Sequence, residues 1–135
     1  MEQDKLTLKT QEALQKAQAI ATENGQLTLE PSHILGGILA VDDNVIPYIL
    51  NDFDINYDLV NQTVSRIITS HPKAAGGQIH MSNASNALFQ RAFKVMQEFN
   101  DEFLAIEIIF YAMLDGKDPI GNYLKDTGLT KKKLK

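Results

Sequence analysis

The amino-acid sequence predicts an all-α protein in which two four-helix units, about eight helices in all, are related by a pseudo-twofold axis within one domain, 1–135. Three observations predict it. Sliding the chain over itself by 74 residues without a gap superimposes its apolar skeleton: Ala13 and Leu14 fall on Ala87 and Leu88, Ile34 on Ile108, Ile46 on Ile120, Leu50 on Leu124, and Asp52 on Asp126. Apolar residues recur at three-to-four spacing, and no strand alternation competes; the nearest run, Gln26-Leu27-Thr28-Leu29, lies in a connection. Caps and breakers come in one order, twice. A long internal repeat decides architecture before any motif does. The repeats occupy about 7–69 and 82–135, joined by a linker of about 70–81.

Each element follows from local chemistry. Thr7 caps a first helix over 8–24, with Leu6, Ala13, Leu14, Ala17, Ile20 and Ala21 as its apolar stripe and Gly25 as its stop. Pro31 suits the first turn of a second helix, 31–41, apolar nearly all round and therefore central. Asp43 or Asn44 caps a short third helix, 45–51. Asn56 caps a fourth, 57–69, with Leu59, Val60, Val64, Ile67 and Ile68 inward. Pro72, Gly76 and Gly77 mark the linker. The series then restarts with Ser82 or Asn83 capping a fifth helix to about 99, an apolar sixth over 105–114 and a Pro119-led seventh to 125. Gly128 breaks the chain, and Thr130 caps a stub of an eighth, as expected of a domain cut from a longer protein.

Composition excludes several functions. There is no cysteine, hence no disulfide, thiolate nucleophile or cysteine-held metal, which fits a reducing compartment. The start lacks the basic-then-apolar layout of a signal peptide and no long apolar run is present, so a cytoplasmic protein without membrane contact is expected. Four of 13 basic residues (Lys131, Lys132, Lys133, Lys135) sit at the end, leaving residues 1–130 with 9 positive against 17 negative charges, which does not invite nucleic acid.

Catalytic and metal motifs fail on inspection. Gly116-Lys117 lacks the rest of a phosphate loop. Asp52-Phe53-Asp54-Ile55-Asn56 opens like a calcium loop but has Tyr57 where Gly is needed and Thr63 where Glu is needed. His33 opens the buried second helix, where packing or capping suffices, and His71 and His80 flank the linker. No Ser, His and Asp fall into a recognisable triad. Two glycosylation sequons, at Asn61 and Asn83, mean nothing without secretion.

Several strings are nonetheless distinctive: Leu6-Thr7-Leu8-Lys9-Thr10-Gln11-Glu12-Ala13-Leu14, Glu30-Pro31-Ser32-His33-Ile34-Leu35, Gly76-Gly77, Asp101-Glu102-Phe103 and Glu107-Ile108-Ile109. With the repeat, they resemble the double Clp-N repeat at the start of Clp AAA+ unfoldases, the ClpB disaggregase branch most closely, over essentially the whole chain. The resemblance implies a non-enzymatic module that captures exposed apolar segments of unfolded or aggregated polypeptides. AAA+ rings of the same parent chain, hexameric and using ATP and Mg, then thread them, in cooperation with a DnaK-type chaperone. No cofactor is implied for this stretch itself. The alternative is an adaptor-docking domain of the ClpA or ClpC type. ClpC-type domains carry a Glu that recognises phosphoarginine. The matching positions here look to be Ser32 and Ile106, which argues against that recognition.

The resemblance places the substrate groove between the repeats, with polar positions Thr7, Asp101 and Glu107 and apolar positions Val95 and Ile108. A nearby position often apolar in relatives looks to be Arg91. From the residues alone, Thr7 is a helix cap, a groove residue or both. Asp101 is a groove acid or a loop acid. Glu107, on an otherwise apolar helix, is functional or tied to the helix terminus, since burial unpaired would be costly. In the fifth helix Leu88, Ala92, Val95 and Phe99 make the expected core stripe. Phe89, Phe93 and Met96, about 80–140° around, are surplus apolar surface. Gly36-Gly37 is expected to make room for Phe110-Tyr111. Ile108→Glu or Val95→Glu should lower affinity for an unfolded client and leave helical content intact.

Overall fold

The computed structural model describes residues 3–131. A 3-10 turn (Gln3–Lys5) precedes α1 (Leu8–Glu23), β1 (Thr28–Leu29), α2 (Pro31–Val41), α3 (Val45–Asp52), α4 (Tyr57–Ser70), β2 (His80–Met81), α5 (Asn83–Glu98), α6 (Ile106–Met113) and α7 (Pro119–Asp126). The eighth helix and the lysines expected after Lys131 lie outside the described residues.

Caps fix most boundaries. Thr7 and Ser82 each accept the N–H three residues on, as does Asn56; Asp118 accepts from Ile120 and Gly121 ahead of α7. The third helix departs from expectation. Neither Asp43 nor Asn44 caps it; the buried Asp42 carboxylate takes the N–H groups of Val45 (3.1 Å) and Ile46 (2.7 Å). A carboxylate is affordable there because the helix N-terminus supplies both donors and a favourable dipole.

The core runs through both halves and centres on α2 and α6, whose Ile34, Leu35, Ile38, Ile109, Phe110 and Met113 are fully enclosed. Burying each such side chain contributes about 1.5–3 kcal/mol. Leu59, expected inward, is 58 % exposed, and Thr63 takes its place on the buried face of α4. In α5 the core face is also turned from the expected stripe. Phe89 and Met96 are buried with Leu88 and Ala92, whereas Val95 is half-buried and Phe99 stands at the surface.

The glycines of α2 serve a different neighbour from the one expected. A Cβ on Gly37 would collide with the backbone carbonyl of Ala13 and stand 2.9 Å from Ala17 N. Gly37 therefore allows α1 and α2 to touch along their backbones; it does not accommodate Phe110 or Tyr111. Gly36 faces the side-chain tips of Ile68 and Ile20, at 3.2 and 3.3 Å from the same added atom.

Two short parallel pairings tie the halves together, the only strand-like features of this all-α fold among the described residues. β1 pairs with β2 in the register Thr28 to His80 and Leu29 to Met81, and Leu6 bridges to Leu104. Their side bonds match across the pseudo-twofold. Thr10 Oγ1 donates to Leu104 O (2.9 Å) and Ser85 Oγ to Leu29 O (2.7 Å); Thr7 N–H donates to Leu104 O (3.2 Å) and Ser82 N–H to Leu29 O (3.1 Å). Thr10 with Ser85, and Leu29 with Leu104, are 75 residues apart. Asp54 and Gly128, the positive-φ residues after α3 and α7, are 74 apart. Helices α1 and α2 thus correspond to α5 and α6 one residue out of the ungapped register, and the connection after α6 takes up the difference. Ser32 corresponds to Glu107, His33 to Ile108, and Ala17 to Ala92 with Lys16 to Arg91.

Candidate functional site

Asn100 shapes the site. It closes α5 in the left-handed conformation (φ 58°), which Asn tolerates better than most residues. Its N–H donates to Gln97 O and that of Asp101 to Met96 O, each at 3.0 Å. The chain then runs at the surface until Leu104, whose N–H donates to Lys5 O (2.6 Å) and whose carbonyl holds Thr7 and Thr10. The turn on one side and the Leu104 anchor on the other leave Phe99 39 % and Phe103 50 % exposed.

Between them lies a groove of about 410 Å³. Ile108 and Tyr111 of α6 and Ile49 of α3 line it, with Phe99, Phe103 and Ala105 on the sides and Asp101, Glu102 and Glu107 around it. Ile49 belongs to the first half of the chain, so the groove crosses the seam. The Tyr111 ring packs edge-on against Phe99 (centroids 6.0 Å, 61°). Lys131 Nζ stands 5.5 Å from the Tyr111 ring and 2.7 Å from Asp115. Its ammonium is held above the ordinary lysine range, first by the hydrogen bond it donates to Asp115. Glu107 is the second residue of α6, where Ala105 offers no side-chain cap, so its carboxylate stands in the first turn, at the favourable end of the helix dipole.

The groove brings together three of the five expected residues, Asp101, Glu107 and Ile108. Thr7 is one residue from the Leu6–Leu104 bridge, where it caps α1, bonds Thr10 N (3.1 Å) and Thr10 Oγ1 (2.8 Å), and does not line the groove. Val95 packs against the core from the side of α5. Ile108 is only 5 % exposed, so Ile108→Glu would strain the core and Val95→Glu would miss the groove. The sequence reading placed Phe99 in the core and gave no site role to Ile49, Phe103 or Tyr111. Arg91 lies elsewhere, its Nε donating to Ala112 O (3.2 Å) at the end of α6. Glu107, not Ile106, stands at the helical position of Ser32, so the ground for setting phosphoarginine aside holds only in the first repeat.

The corresponding place in the first half is closed. His33 Nδ1 accepts the Glu30 N–H (2.9 Å), which leaves the proton on Nε2 to donate to Gln26 Oε1 (2.6 Å). Gln26 Nε2 in turn donates to Ile68 O (2.7 Å) and His71 O (3.3 Å) at the end of α4. Burial, aided by His71, lowers the His33 imidazole to about 4. Ser32 Oγ and His71 Nε2 lie 2.7 Å apart, but Ser32 is buried and cannot meet a substrate. A second groove of about 360 Å³ lies beside α1, lined by Leu6, Leu14, Met81 and glutamines, and contains none of the expected site residues. No group of three or more ligating side chains that could hold a metal occurs among the described residues. No single described helix is long and apolar enough to cross a membrane; α2 and α3 reach that composition only as a pair bent by 103°.

Comparison with known proteins places this geometry. A family model described as the Clp repeat (R) N-terminal domain matches residues 5–127. The chaperone protein ClpB of Bacteroides thetaiotaomicron is 38 % identical over 129 residues, 96 % of this chain but only 15 % of that protein. The Hsp104 N-terminal domain of Candida albicans superimposes with a TM-score of 0.83 at 18 % identity, over 96 % of this chain and 85 % of that one. The N-terminal domain of the ClpV1 ATPase from E. coli gives 0.85 at 16 % identity, over 97 % and 82 %. Those two likenesses show the fold.

Proposed function

The chain belongs to the Clp repeat N-terminal domain family, and on that premise we propose that it is the substrate-recognition domain of a ClpB-type disaggregase. It binds exposed apolar segments of unfolded or aggregated polypeptides for transfer to ATP-driven AAA+ rings of the same parent protein in the cytoplasm. The observation that carries this reading is the groove itself. Two half-exposed phenylalanines stand beside Ile108 and Tyr111, and apolar surface left in the open usually marks an interaction site.

The groove suits weak, permissive capture. An extended segment buries an apolar side chain against Ile108 and Phe103, while its backbone N–H groups meet the carboxylates of Asp101 and Glu107 and its carbonyls meet the uncapped start of α6. Thr7 acts through Leu104, whose position it fixes, and Val95 supports α5 from behind. A shallow site with few anchors releases its client readily, as transfer to a pore requires.

Titration of the protein with a permanently unfolded polypeptide tests the reading. Binding is expected, and Phe103→Ser should weaken it severalfold without loss of helical content. Binding to a folded adaptor protein and not to the unfolded chain would favour the adaptor-docking alternative.

A further inference from the structure

We propose that the corner where α5 meets the α6–α7 connection is a carboxylate-binding pocket, which takes a single acidic group of a polypeptide partner on Arg91 and Lys117. The pocket, about 440 Å³, shares no lining residue with the groove of Asp101 and Glu107 and is independent of what that groove binds. Arg91, Ala84 and Ala87 line it from α5, and Asp115 to Asp118 from the connection. The half-buried Arg91 is fixed in place by the protein itself: its Nε donates to Ala112 O (3.2 Å) near the end of α6. That bond leaves both terminal nitrogens of the guanidinium without a partner among the described residues. Gly116 leaves room beside them, since a Cβ there would stand 3.2 Å from Arg91 Nη2. Lys117 is exposed, and its ammonium likewise pairs with no described side chain.

The two acids that line the same pocket are engaged. Asp115 accepts from Lys131 Nζ at 2.7 Å, and Asp118 accepts the N–H groups of Ile120 and Gly121 at the start of α7. Lys125 Nζ, which donates to Gly116 O at 3.0 Å, adds a further positive charge beside the pocket. What remains unmatched is cationic, in a chain whose residues 1–130 carry 17 acidic against 9 basic side chains. A guanidinium fork with an ammonium next to it fits a carboxylate, which accepts two parallel N–H bonds from the one and a charge-assisted bond from the other. The surroundings restrict the ligand to one such group, because a polyanion extending past the two cations meets Asp115, Asp118 and the acidic body of the protein. Ala84 and Ala87 leave space for small neutral residues on either side of it. The first half has no counterpart: Asp42 and Asp43 stand at the place of Lys117, 75 and 74 residues earlier.

Amide chemical-shift titration of the labelled 135-residue protein with short, N-acetylated peptides of small neutral residues tests this. One peptide carries a central Glu and an amidated end, a second a central Gln and a free terminal carboxylate, and the control a central Gln and an amidated end. The salt is about 0.1 M, where charges more than about 10 Å away are largely screened. At least one carboxylate peptide should bind about three- to tenfold tighter than the control, as expected for two exposed charge pairs, with shifts at Arg91, Gly116 and Lys117. Which of the two does so tells a side-chain carboxylate from a chain end. The Arg91→Gln/Lys117→Gln variant should bring the ratio toward one, and Arg91→Lys, which keeps the charge and loses the fork, should restore only part of it. Circular dichroism checks that the variants fold. Lys117→Gln alone, at an exposed position, should lower the ratio in an intact protein even where Arg91→Gln disturbs the end of α6. Equal binding of all three peptides, or a preference that the double variant leaves unchanged, overturns the proposal. Phe103→Ser should leave the ratio as it is; a preference lost with Phe103→Ser would belong to the groove and overturn the assignment to Arg91 and Lys117.

Discussion

Adjacent glycines in α2 should respond to the same substitution with opposite signs. At Gly37 an added methyl would collide with the Ala13 carbonyl and lie 2.9 Å from Ala17 N. Both obstacles are backbone of α1, so relief requires moving one helix against the other. Against backbone that cannot rotate aside, such overpacking costs about 2–3 kcal/mol, set against about 1 kcal/mol gained from better helix propensity. Gly37→Ala should therefore destabilise by about 1–2 kcal/mol net. In a protein of this size, about 3–6 °C per kcal/mol, the melting temperature should fall by about 3–12 °C. At Gly36 the nearest atoms are the terminal methyls of Ile68 and Ile20, at 3.2 and 3.3 Å, which rotate aside. Propensity then prevails, and Gly36→Ala should be neutral or stabilising by up to about 1 kcal/mol. Thermal and urea unfolding followed by circular dichroism measures both. Equal destabilisation by the two, or a neutral Gly37→Ala, would refute the close backbone approach of α1 and α2.

Other outcomes follow from single interactions. The His33 imidazole is lowered in the fold to about 4 from 6.5, so the unfolded chain binds more protons between those values. Its contribution is complete above about pH 6.5 and is lost as pH falls; at pH 5 the loss is about 1–2 kcal/mol, measurable by urea unfolding and absent from His33→Asn. Thr10→Val and Ser85→Ala remove equivalent bonds to Leu104 O and Leu29 O. Each should cost about 1 kcal/mol, and markedly unequal losses would count against the pseudo-twofold equivalence. Leu59→Ser, at a position 58 % exposed, should shift stability by no more than about 0.5 kcal/mol, whereas Val60→Ala, one residue on and buried, should cost about 1–2 kcal/mol.

Helix ends were legible in the sequence because caps act locally: Thr7, Pro31, Asn56, Ser82 and Pro119 each stand where the side chain or ring predicts. The faces of α1 and α5 were not. Ala13-Leu14, Leu88-Phe89, Ala92-Phe93 and Val95-Met96 are adjacent apolar pairs, and either member of such a pair can face the core at helical spacing. Periodicity could not choose between registers of 74 and 75; the side-chain bonds of Thr10 and Ser85 to the opposite half choose for α1 and α5. At the site, Asp101, Glu107 and Ile108 were named through the family resemblance. Phe99 and Phe103 escaped because their exposure depends on the left-handed turn at Asn100 and on the anchoring of Leu104 to Lys5 and Thr7. Asn100 was the available signal, since asparagine after a long apolar helix marks such a turn.

The central claim is tested most directly by amide chemical-shift mapping of the labelled protein while an unfolded polypeptide is added. The expected shifts cluster at Ile49, Phe99, Asp101, Phe103, Glu107, Ile108 and Tyr111, which line the groove, and disappear with Phe103→Ser. Shifts confined to the groove beside α1, at Leu14, Gln18 and Met81, would contradict it.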